Sequence, residues 1–440
     1  MERSDNSTFE SYFASVVPIE EVLKRDVDES IKRSGLRNVY LASLDSISHM
    51  TFQRKLPELY KFLTEELEGV PLMGYNIVGD GTPQAFIPIL TGQTEQELPL
   101  TRKRYENASF VDEVYPFIWK QFREAGYATL FGEDGASAGT YQYRLKGFKD
   151  QPTDHYLRTF YLKAEKEYKR HKAYCFGSRT RHSNFYNYGT TFFDNYPNDR
   201  PKFALLHYSE LTHGNINTVE LVEPDLLDHL KHLQTQGHLE NTLLIVMADH
   251  GARFAKMRAT HQGQLEERLP PFIVVAPKWW RSTGAPGEIA WGNLQRNSQL
   301  LTTPFDIHAT LERILEWKEP KQVLRDKEDK IPRGISLWDE IPLDRTCADA
   351  GVEEHWCTCL SWTDLSVDSP IAQQAAQHIL ETLPKNALYE VTVKYSHSSG
   401  TFDPVDMKSI SRINKYGNAP HCVADKDAFM REYCVCSDMV

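Results

Sequence analysis

The amino-acid sequence predicts an α/β fold, with a mostly parallel sheet covered by helices on both faces and a small cysteine-rich module at the C-terminus. Short apolar runs alternate with helical patterns from residue 38 to residue 317, which is typical of parallel strands joined by crossover helices. Several runs end in Asp or His, as expected where parallel strands present ligand-binding side chains. Six of the seven cysteines lie beyond residue 346, and this clustering predicts the separate module.

The predicted strands and helices alternate along the chain. Strands are expected at 38–46, 70–78, 127–134, 202–209, 241–251 and 270–277, and helices at 54–67, from 83 onward, at 111–126, 223–237 and 304–317. Residues 135–200, rich in Tyr, Phe and Asn, are expected to form loops that shape the pocket. The predicted domains are an N-terminal extension (1–36), the main α/β domain (37–320), a charged connector (321–346) and the cysteine-rich module (347–440).

The composition is that of a folded globular protein. The 440 residues are 40% hydrophobic and 25% charged, which argues against a disordered or fibrous chain. A net charge of −11 disfavours a nucleic-acid partner. Because no apolar run approaches the roughly 18 residues that span a bilayer, no transmembrane segment is expected in this chain. The N-terminus is polar, so no secretory leader is visible in it.

The C-terminal cysteines predict disulfide bonds and an extracellular or secretory-pathway location, because they are even in number and closely grouped. They are Cys347, Cys357, Cys359, Cys422, Cys434 and Cys436. A zinc site stays open as the alternative, although the two C-x-C pairs suit zinc chelation poorly. Glycosylation sequons at Asn6 and Asn107 also agree with secretion.

Metal-binding side chains follow three of the predicted strands. Asp45 ends the first strand, His213 lies just beyond the fourth, Asp249 and His250 end the fifth, and His261 follows eleven residues later. Since parallel strands end at one edge of a sheet, such residues can converge on one cation, and nitrogen with oxygen ligands favours zinc, then manganese, over calcium. Each residue alone also has an ordinary structural interpretation, because a strand-end Asp often caps a helix.

Thr82 lies between a glycine-rich turn and an apolar helix in VGDGTPQAFIPILTG (78–92). One interpretation makes Thr82 the helix N-cap, with Pro83 at the first helical position. The other makes it a nucleophile, because a hydroxyl at a helix N-terminus meets free N–H groups and a nearby divalent metal can lower its pKa.

In chain order, these motifs resemble the alkaline phosphatase superfamily, which includes sulfatases, nucleotide pyrophosphatase/phosphodiesterases and phosphoethanolamine transferases. The matching segments are LDS, GTPQAFIPILTG and MADHG. Three further segments resemble an animal family of sulfatase-like extracellular proteins described as a domain of unknown function: YRLKGFKDQPTDHYLR, EERLPPFIVVAP and CADAGVEEHWCTC. The resemblance covers about residues 36 to 436 and implies an alkaline-phosphatase-like sheet.

The resemblance implies one metal ion bound by Asp45, Thr82, Asp249 and His250, with the Thr82 hydroxyl as both ligand and nucleophile. His213 and His261 would bind a second ion or stabilise transition-state charge. The implied activity is hydrolysis or transfer of a phosphoester, phosphodiester-like, on a small-molecule, glycan or lipid-headgroup substrate.

Three departures from the superfamily pattern leave alternatives open. The T-F-P-N motif of the phosphodiesterases is here Thr82-Pro83-Gln84-Ala85, so an amide contact to the substrate is absent or comes from Gln84. The Asp expected near His213 for a second metal is missing, and Glu210 and Asn215 stand nearby. Thr at 82 and Phe at 86 exclude the formylglycine of true sulfatases. A catalytically inactive binding protein and a sulfuric ester hydrolase are the alternative functions.

Overall fold

The computed structural model describes residues 11–171, 174–253, 256–383 and 388–413. The described strands are β1 (Asn38–Leu44), β2 (Val70–Pro71), β3 (Ala128–Glu133), β4 (His155–Tyr156), β5 (Cys175–Phe176), β6 (Arg179–Thr180), β7 (Lys202–Tyr208), β8 (Thr242–Ala248), β9 (Phe272–Val275), β10 (Tyr389–Val391), β11 (Tyr395–Ser396), β12 (Thr401–Phe402) and β13 (Ile410–Arg412).

The described helices are α1 (Glu20–Leu23), α2 (Glu29–Ser34), α3 (His49–Lys55), α4 (Pro57–Lys61), α5 (Thr82–Thr91), α6 (Val111–Val114), α7 (Ile118–Glu124), α8 (Arg158–His171), α9 (Arg181–Asn195), α10 (Glu223–Thr235), α11 (His261–Arg268), α12 (Glu288–Asn297), α13 (Pro304–Leu315) and α14 (Pro370–Thr382). A π-helical turn covers Phe62–Glu66, and short 3-10 turns cover Val219–Val222, His238–Asn241, Lys256–Ala259 and Met407–Ser409.

A seven-stranded sheet in the order β2-β9-β8-β1-β7-β3-β4 forms the centre of the molecule. The pairs of β1 with β7 and β8, and of β3 with β7 and β4, are parallel. Strand β9 runs antiparallel to β8 and to β2. The mostly parallel sheet predicted from the sequence is therefore confirmed, and β1 is the middle strand of the seven.

Helices cover both faces of the sheet because alternate residues of the buried strands point to opposite sides. In β1, Val39 and Leu41 belong to a core shared with α5, α7 and α13. Tyr40, Ala42 and Leu44 belong to a second core, shared with α3, α4, α9 and α10. All seven residues of β1 are buried, as expected for the central strand of a doubly covered sheet.

The helix predicted at 111–126 is interrupted at Pro116. Two shorter helices, α6 and α7, replace it. Tyr115 precedes the proline and is extended, with φ −91° and ψ 131°, because the proline ring disfavours helical backbone in the residue before it.

The strand predicted at 70–78 is shorter than expected, since only Val70 and Pro71 pair in the sheet. The backbone then leaves the sheet edge and bonds to the 298–302 loop, where Met73 N donates to Ser298 O and Asn76 N donates to Thr302 O.

The prediction that residues 135–200 form loops is wrong for about half of that segment, where α8 and α9 lie. Nine of the fifteen residues of α9 are buried. Its aromatic residues, including Phe185, Phe192 and Phe193, pack into the core beneath the sheet, which explains the Tyr and Phe content of the segment.

Residues after the main sheet pack closely against it. Val323, Ile335, Leu337, Trp338 and Ile341 are part of the core on the α13 side. Cys347 and Cys357 form a disulfide bond, as predicted for the C-terminal region. Cys422, Cys434 and Cys436 lie outside the described residues. The division into four domains stays a prediction.

None of the described helices is both long enough and apolar enough to cross a lipid bilayer.

Candidate metal and nucleophile site

Two neighbouring parallel strands bring Asp45, Asp249 and His250 together. Leu44 of β1 pairs with Ala248 of β8, so the residues that follow them leave the sheet side by side. Ligand atoms of the three side chains all lie within 4.8 Å of one another. The side chains are buried, with 4%, 0% and 1% of the residue surface exposed, so they form one enclosed polar cluster at the strand ends.

Backbone hydrogen bonds orient Asp249 and leave one of its oxygens available. Oδ1 accepts hydrogen bonds from Ser46 N at 3.0 Å and His250 N at 2.8 Å. Oδ2 is buried and accepts no hydrogen bond of ordinary length from the described residues. A buried carboxylate oxygen without a donor is costly, so this atom fits a cation ligand.

His250 is held in the tautomer that binds metals. Its Nδ1 lies 2.8 Å from the Gly251 carbonyl oxygen, which can only accept a hydrogen bond, so Nδ1 carries the proton. Nε2 then presents a lone pair, and it too is buried without a hydrogen-bond partner in the described part of the chain. Nε2 lies 3.3 Å from Asp249 Oδ2 and 3.9 Å from Asp45 Oδ1. This pattern, one ring nitrogen on a carbonyl and the other facing carboxylates, is common among metal-binding histidines.

The charges in the cluster also favour a bound cation. Burial and the nearby Asp249 carboxylate raise the pKa of Asp45. Burial also acts to raise the pKa of Asp249, but His250, His207 and the hydrogen bond from Ser46 outweigh it, so that pKa is lowered. Two carboxylates enclosed at this distance repel each other unless a positive charge lies between them. The donor set of two carboxylates and one imidazole fits a divalent cation such as zinc or manganese.

Thr82 lies beside this cluster at the start of α5. The N-cap of the helix is Gly81, with φ +91°, and Thr82 is the first helical residue. Gln84 N and Ala85 N donate to the Gly81 carbonyl, and no side chain caps the helix. The Thr82 hydroxyl contributes to the lowered pKa of Asp249, which places it next to that carboxylate. The side chain is half-buried, so it is accessible from outside the cluster.

His213 is near enough to the cluster for the charge of His250 to act on it. It is exposed to solvent but surrounded by enough protein that desolvation, followed by the charges of Arg253 and His250, lowers its pKa to about 4. His261 is exposed at the first position of α11, which is capped by Thr260. Within the described residues, no hydrogen bond or ion pair joins His261 to the cluster. The roles of both histidines stay predictions.

Sequence reasoning missed His207, which lies near the end of β7. Its Nδ1 is 3.0 Å from the Ser43 hydroxyl, its Nε2 is 4.0 Å from Asp45 Oδ2, and its ring packs against Phe86 of α5. Burial lowers its pKa. A single His in the otherwise apolar run FALLHY was the signal that could have found it.

Sequence reasoning also missed an ion pair that joins the nucleophile turn to the DHG motif. Asp80 Oδ1 accepts a hydrogen bond from Arg253 Nη1 at 2.5 Å. Burial acts to raise the pKa of Asp80, but Arg253 and Arg144 outweigh it and the pKa is lowered. The ion pair therefore places a guanidinium group beside Thr82.

The residues considered for a second metal have other partners. Glu210 accepts a hydrogen bond from Arg181 at 2.8 Å, and the exposed Asn215 accepts one from Asn217 N at 3.0 Å. Among the described residues, one further group of three possible metal ligands exists: Cys347, Cys357 and Cys359. Two of its sulfur atoms are joined in the disulfide, which agrees with the disulfide interpretation rather than a zinc site.

The solved structures that match this chain do so at low similarity. A protein of the alkaline phosphatase superfamily from Vibrio parahaemolyticus is 14% identical, with a TM-score of 0.42, and the match covers 64% of this chain and 66% of that chain. The phosphonate monoester hydrolase SpPMH from Silicibacter pomeroyi is 14% identical, with a TM-score of 0.45 and coverage of 70% and 78%. The periplasmic domain of EcEptC from Escherichia coli, solved as a complex with Zn, is 11% identical, with a TM-score of 0.40 and coverage of 64% and 82%.

A family model identifies the family of this chain, and that family has no assigned activity. No curated protein gives a significant match to the chain. The family model described as "Protein of unknown function (DUF229)" matches residues 6–392, which is most of the chain. This agrees with the family resemblance carried by the segments around Tyr143, Glu266 and Cys347. The chain therefore belongs to the DUF229 family of proteins of unknown function.

Proposed function

We propose that this protein is a metal-dependent phosphoester hydrolase or transferase that uses Thr82 as its nucleophile. The observation that carries the proposal is the pair of buried atoms Asp249 Oδ2 and His250 Nε2, which lie 3.3 Å apart without hydrogen-bond partners among the described residues. Asp45 completes the donor set, and the Thr82 hydroxyl lies beside Asp249.

One divalent ion, zinc in preference to manganese, would be held by Asp45, Asp249 and His250, with Thr82 as a further ligand. A bound divalent cation supplies Lewis-acid polarisation of an ester oxygen and lowers the pKa of an adjacent hydroxyl. The Gly251 carbonyl keeps the lone pair of His250 Nε2 pointed into the site. Ser46 N and His250 N hold the Asp249 carboxylate in its orientation.

In the proposed reaction, the Thr82 Oγ attacks phosphorus in line with the leaving oxygen. The Oγ–P bond forms as the hydroxyl gives up its proton, the bond to the leaving oxygen breaks, and that oxygen takes up a proton to leave as an alcohol, so the step is balanced. Negative charge develops on the non-bridging oxygens, and Arg253 and His213 are the nearby groups that would stabilise it. Water or an acceptor alcohol then cleaves the threonyl ester, which gives hydrolysis or transfer respectively.

An inactive binding protein is the second candidate function, and the orientation of Gln84 favours it. The Gln84 amide donates to Glu95 Oε2 at 2.6 Å instead of serving the amide role of the phosphodiesterase motif. Glu210 pairs with Arg181 rather than completing a second metal site. A protein with these features would bind a phosphate or sulfate ester without cleaving it.

Metal content and turnover test the two candidates together. We expect about one equivalent of zinc or manganese by elemental analysis, cleavage of a p-nitrophenyl phosphodiester, and a loss of at least about 100-fold in kcat for Thr82→Ala. Thr82→Ser should retain part of the activity. Thr91→Ala, at the other end of α5, is the matched control and should keep the wild-type kcat.

Asp249→Asn should lose the metal while remaining folded. A metal-free wild-type protein, or turnover that survives in Thr82→Ala, would contradict the proposed mechanism. Bound metal with no turnover of phosphodiesters or of p-nitrophenyl sulfate would favour the binding protein. The disulfide bond supports a secreted protein as the setting for this activity.

A further inference from the structure

A row of three polar residues crosses the central sheet next to the strand ends that carry the metal cluster. His207 of β7 pairs in register with Ser43 of β1 on one side and with Glu133 of β3 on the other. All three side chains are buried in strands that are otherwise mostly apolar. Burying a polar side chain costs free energy unless it is hydrogen-bonded, so the partners of the central residue, His207, bear on its role.

His207 is held between helix α5 and strand β1. Its ring packs against Phe86 of α5, with the ring centroids 4.9 Å apart, and its Nδ1 lies 3.0 Å from the Ser43 hydroxyl. Asp45 continues the parallel pairing beyond β1, because its N donates to Tyr208 O at 3.0 Å. The second ring nitrogen of His207, Nε2, therefore faces the Asp45 carboxylate, with Oδ2 at 4.0 Å.

The two oxygens of Asp45 have different neighbours. Oδ1 accepts a hydrogen bond from the Ser46 hydroxyl at 2.8 Å and lies 3.9 Å from His250 Nε2. Oδ2 lies 4.0 Å from His207 Nε2 instead. One imidazole nitrogen therefore stands opposite each oxygen of the carboxylate.

The hydrogen-bond partners of the two histidines favour opposite tautomers. His250 carries its proton on Nδ1, which meets the Gly251 carbonyl, so its Nε2 has a lone pair for a cation. For His207, the Ser43 hydroxyl can donate to Nδ1, whereas an ionised Asp45 carboxylate can only accept. The proton of His207 then belongs on Nε2. His250 is thus arranged as a ligand, and His207 as a hydrogen-bond donor.

We propose that His207 is a positioning residue of the metal centre, whose Nε2–H holds Asp45 by Oδ2. Asp45 then presents Oδ1 to the ion that Asp249 and His250 bind. The ion rests on the proposed function, whereas the tautomer of His207 does not. The gap of 4.0 Å exceeds a hydrogen bond by about 1 Å, and hydrogen bonds of this kind often tighten only when the site is occupied.

Titration of zinc chloride into the metal-free full chain, followed by calorimetry, tests this role. His207→Phe keeps a ring against Phe86 but removes both nitrogens, and it should weaken zinc binding about 10- to 100-fold. His207→Gln places an amide N–H near the position of Nε2, and its zinc affinity should stay within about threefold of the wild type because the donor is kept.

His155→Phe is the matched control. His155 is also a buried histidine, with Nε2 2.9 Å from the Tyr196 hydroxyl, and within the described ranges no hydrogen bond or ion pair joins it to the metal cluster. This variant should bind zinc as the wild type does. Unchanged zinc affinity in His207→Phe would overturn the proposal. An equal loss in His207→Phe and His207→Gln would also overturn it, because His207 would then be a ligand rather than a donor.

The tautomer of His207 is measurable in the wild type, which covers the case in which His207→Phe does not fold. Long-range ¹H–¹⁵N correlation spectra of metal-free protein labelled with ¹⁵N-histidine, recorded near about pH 8, show which ring nitrogen carries the proton. Signals are assigned by their loss in His207→Gln and in His250→Gln. We expect the proton on Nε2 of His207 and on Nδ1 of His250. A proton on Nδ1 of His207 contradicts the proposal.

Turnover at varied zinc concentration separates this role from the proposed function. His207→Phe should need about 10- to 100-fold more zinc for half-maximal cleavage of a p-nitrophenyl phosphodiester, and excess zinc should restore most of the lost rate. If the wild type binds zinc but does not cleave the ester, the proposed function fails, and the zinc titrations still decide the role of His207. If the wild type binds no zinc, the metal-dependent function fails, and the tautomer decides whether His207 donates to Asp45.

Discussion

Gly81 sets the position of Thr82 through its backbone. Its φ of +91° lies in the left-handed region that non-glycine residues rarely adopt, and its carbonyl accepts the first hydrogen bonds of α5. Gly81 rather than Thr82 is therefore the N-cap of α5, and the Thr82 hydroxyl is among the groups that lower the pKa of Asp249.

Gly81→Ala is expected to lower the free energy of unfolding by about 1–2 kcal/mol, because alanine is strained at positive φ. Urea unfolding measures the change. Gly292→Ala is the matched control, since Gly292 lies in α12 with no atom within 4 Å of an added Cβ. That control should gain about 0.5–1 kcal/mol from helix propensity. Equal changes in the unfolding free energy of the two variants would contradict a requirement for glycine at position 81.

At the residue scale, the sequence predicted that three side chains that follow buried strands would lie close together. Asp45, Asp249 and His250 were found because parallel strands end at a common edge, and the structure places them within 4.8 Å of one another. His207 was missed because it lies inside an apolar strand rather than after it. Asp80 was missed because an acid between two glycines is ordinary turn chemistry, and its pairing with Arg253 is a long-range contact.

Among the elements, α13 is joined to the segment that follows it by one buried carboxylate. Asp306 accepts hydrogen bonds from Thr303 N and Ile335 N at 2.7 Å, and from both terminal nitrogens of Arg345 at 2.9 Å. The Asp306 side chain is fully buried, and only 1% of the Arg345 side chain is exposed. This carboxylate therefore fixes the path of residues 333–345 over the end of the helix.

Asp306→Asn is expected to destabilise the protein by about 3–5 kcal/mol, because it leaves the buried Arg345 charge without a counter-charge. Denaturant unfolding followed by circular dichroism checks the value. Asp344→Asn provides the control, since Asp344 pairs with Arg325 in an exposed position and should cost less than about 1 kcal/mol. A small effect at both positions would show that the buried pair is dispensable.

Element boundaries were predicted well where hydrophobic periodicity was uninterrupted. Strand β1 and helices α5, α10 and α13 lie where the sequence patterns indicated. The errors had several causes, and the break at Pro116 is a local one. The strand expected to continue past Pro71 instead bonds to the 298–302 loop, and α9 was read as loop because its buried aromatics are mixed with Asn and Thr.

Over the whole molecule, three buried histidines link stability to pH. Burial lowers the pKa of His229 to about 3, and those of His155 and His355 to about 4. An unfolded histidine titrates near about 6.5, so below that pH the unfolded chain binds more protons than the folded chain. Their full contribution to stability is present above about pH 6.5 and is lost as the pH falls toward the lowered pKa values.

Two buried glutamates act in the opposite direction. Burial raises the pKa of Glu133 and of Glu267 to about 7. Their contribution to stability is complete below the ordinary glutamate pKa and is lost as the pH rises through about 7. The unfolding free energy of the wild type therefore depends on pH through opposing effects. Comparing the wild type with a variant of one of these residues isolates the effect of that residue.

His229→Gln is expected to reduce the pH dependence of the unfolding free energy between pH 6 and pH 4 by about 1.4 kcal/mol per pH unit, equivalent to one proton. His229 lies between the Tyr40 hydroxyl at 2.9 Å and the Thr190 hydroxyl at 2.7 Å, and a glutamine amide can replace both contacts. Urea titrations at several pH values measure the slope. His397→Gln, at an exposed residue, serves as the control, and equal slopes for the two variants would contradict the assignment.

The two edge strands of the central sheet have only two residues each, Val70–Pro71 and His155–Tyr156. Unpaired N–H and C=O groups along an edge strand are a template on which another chain can add a strand and begin to aggregate. Edge strands of two residues expose few such groups, and Pro71 has no backbone N–H. The seven-stranded sheet is therefore expected to resist edge-to-edge association with other copies of the chain.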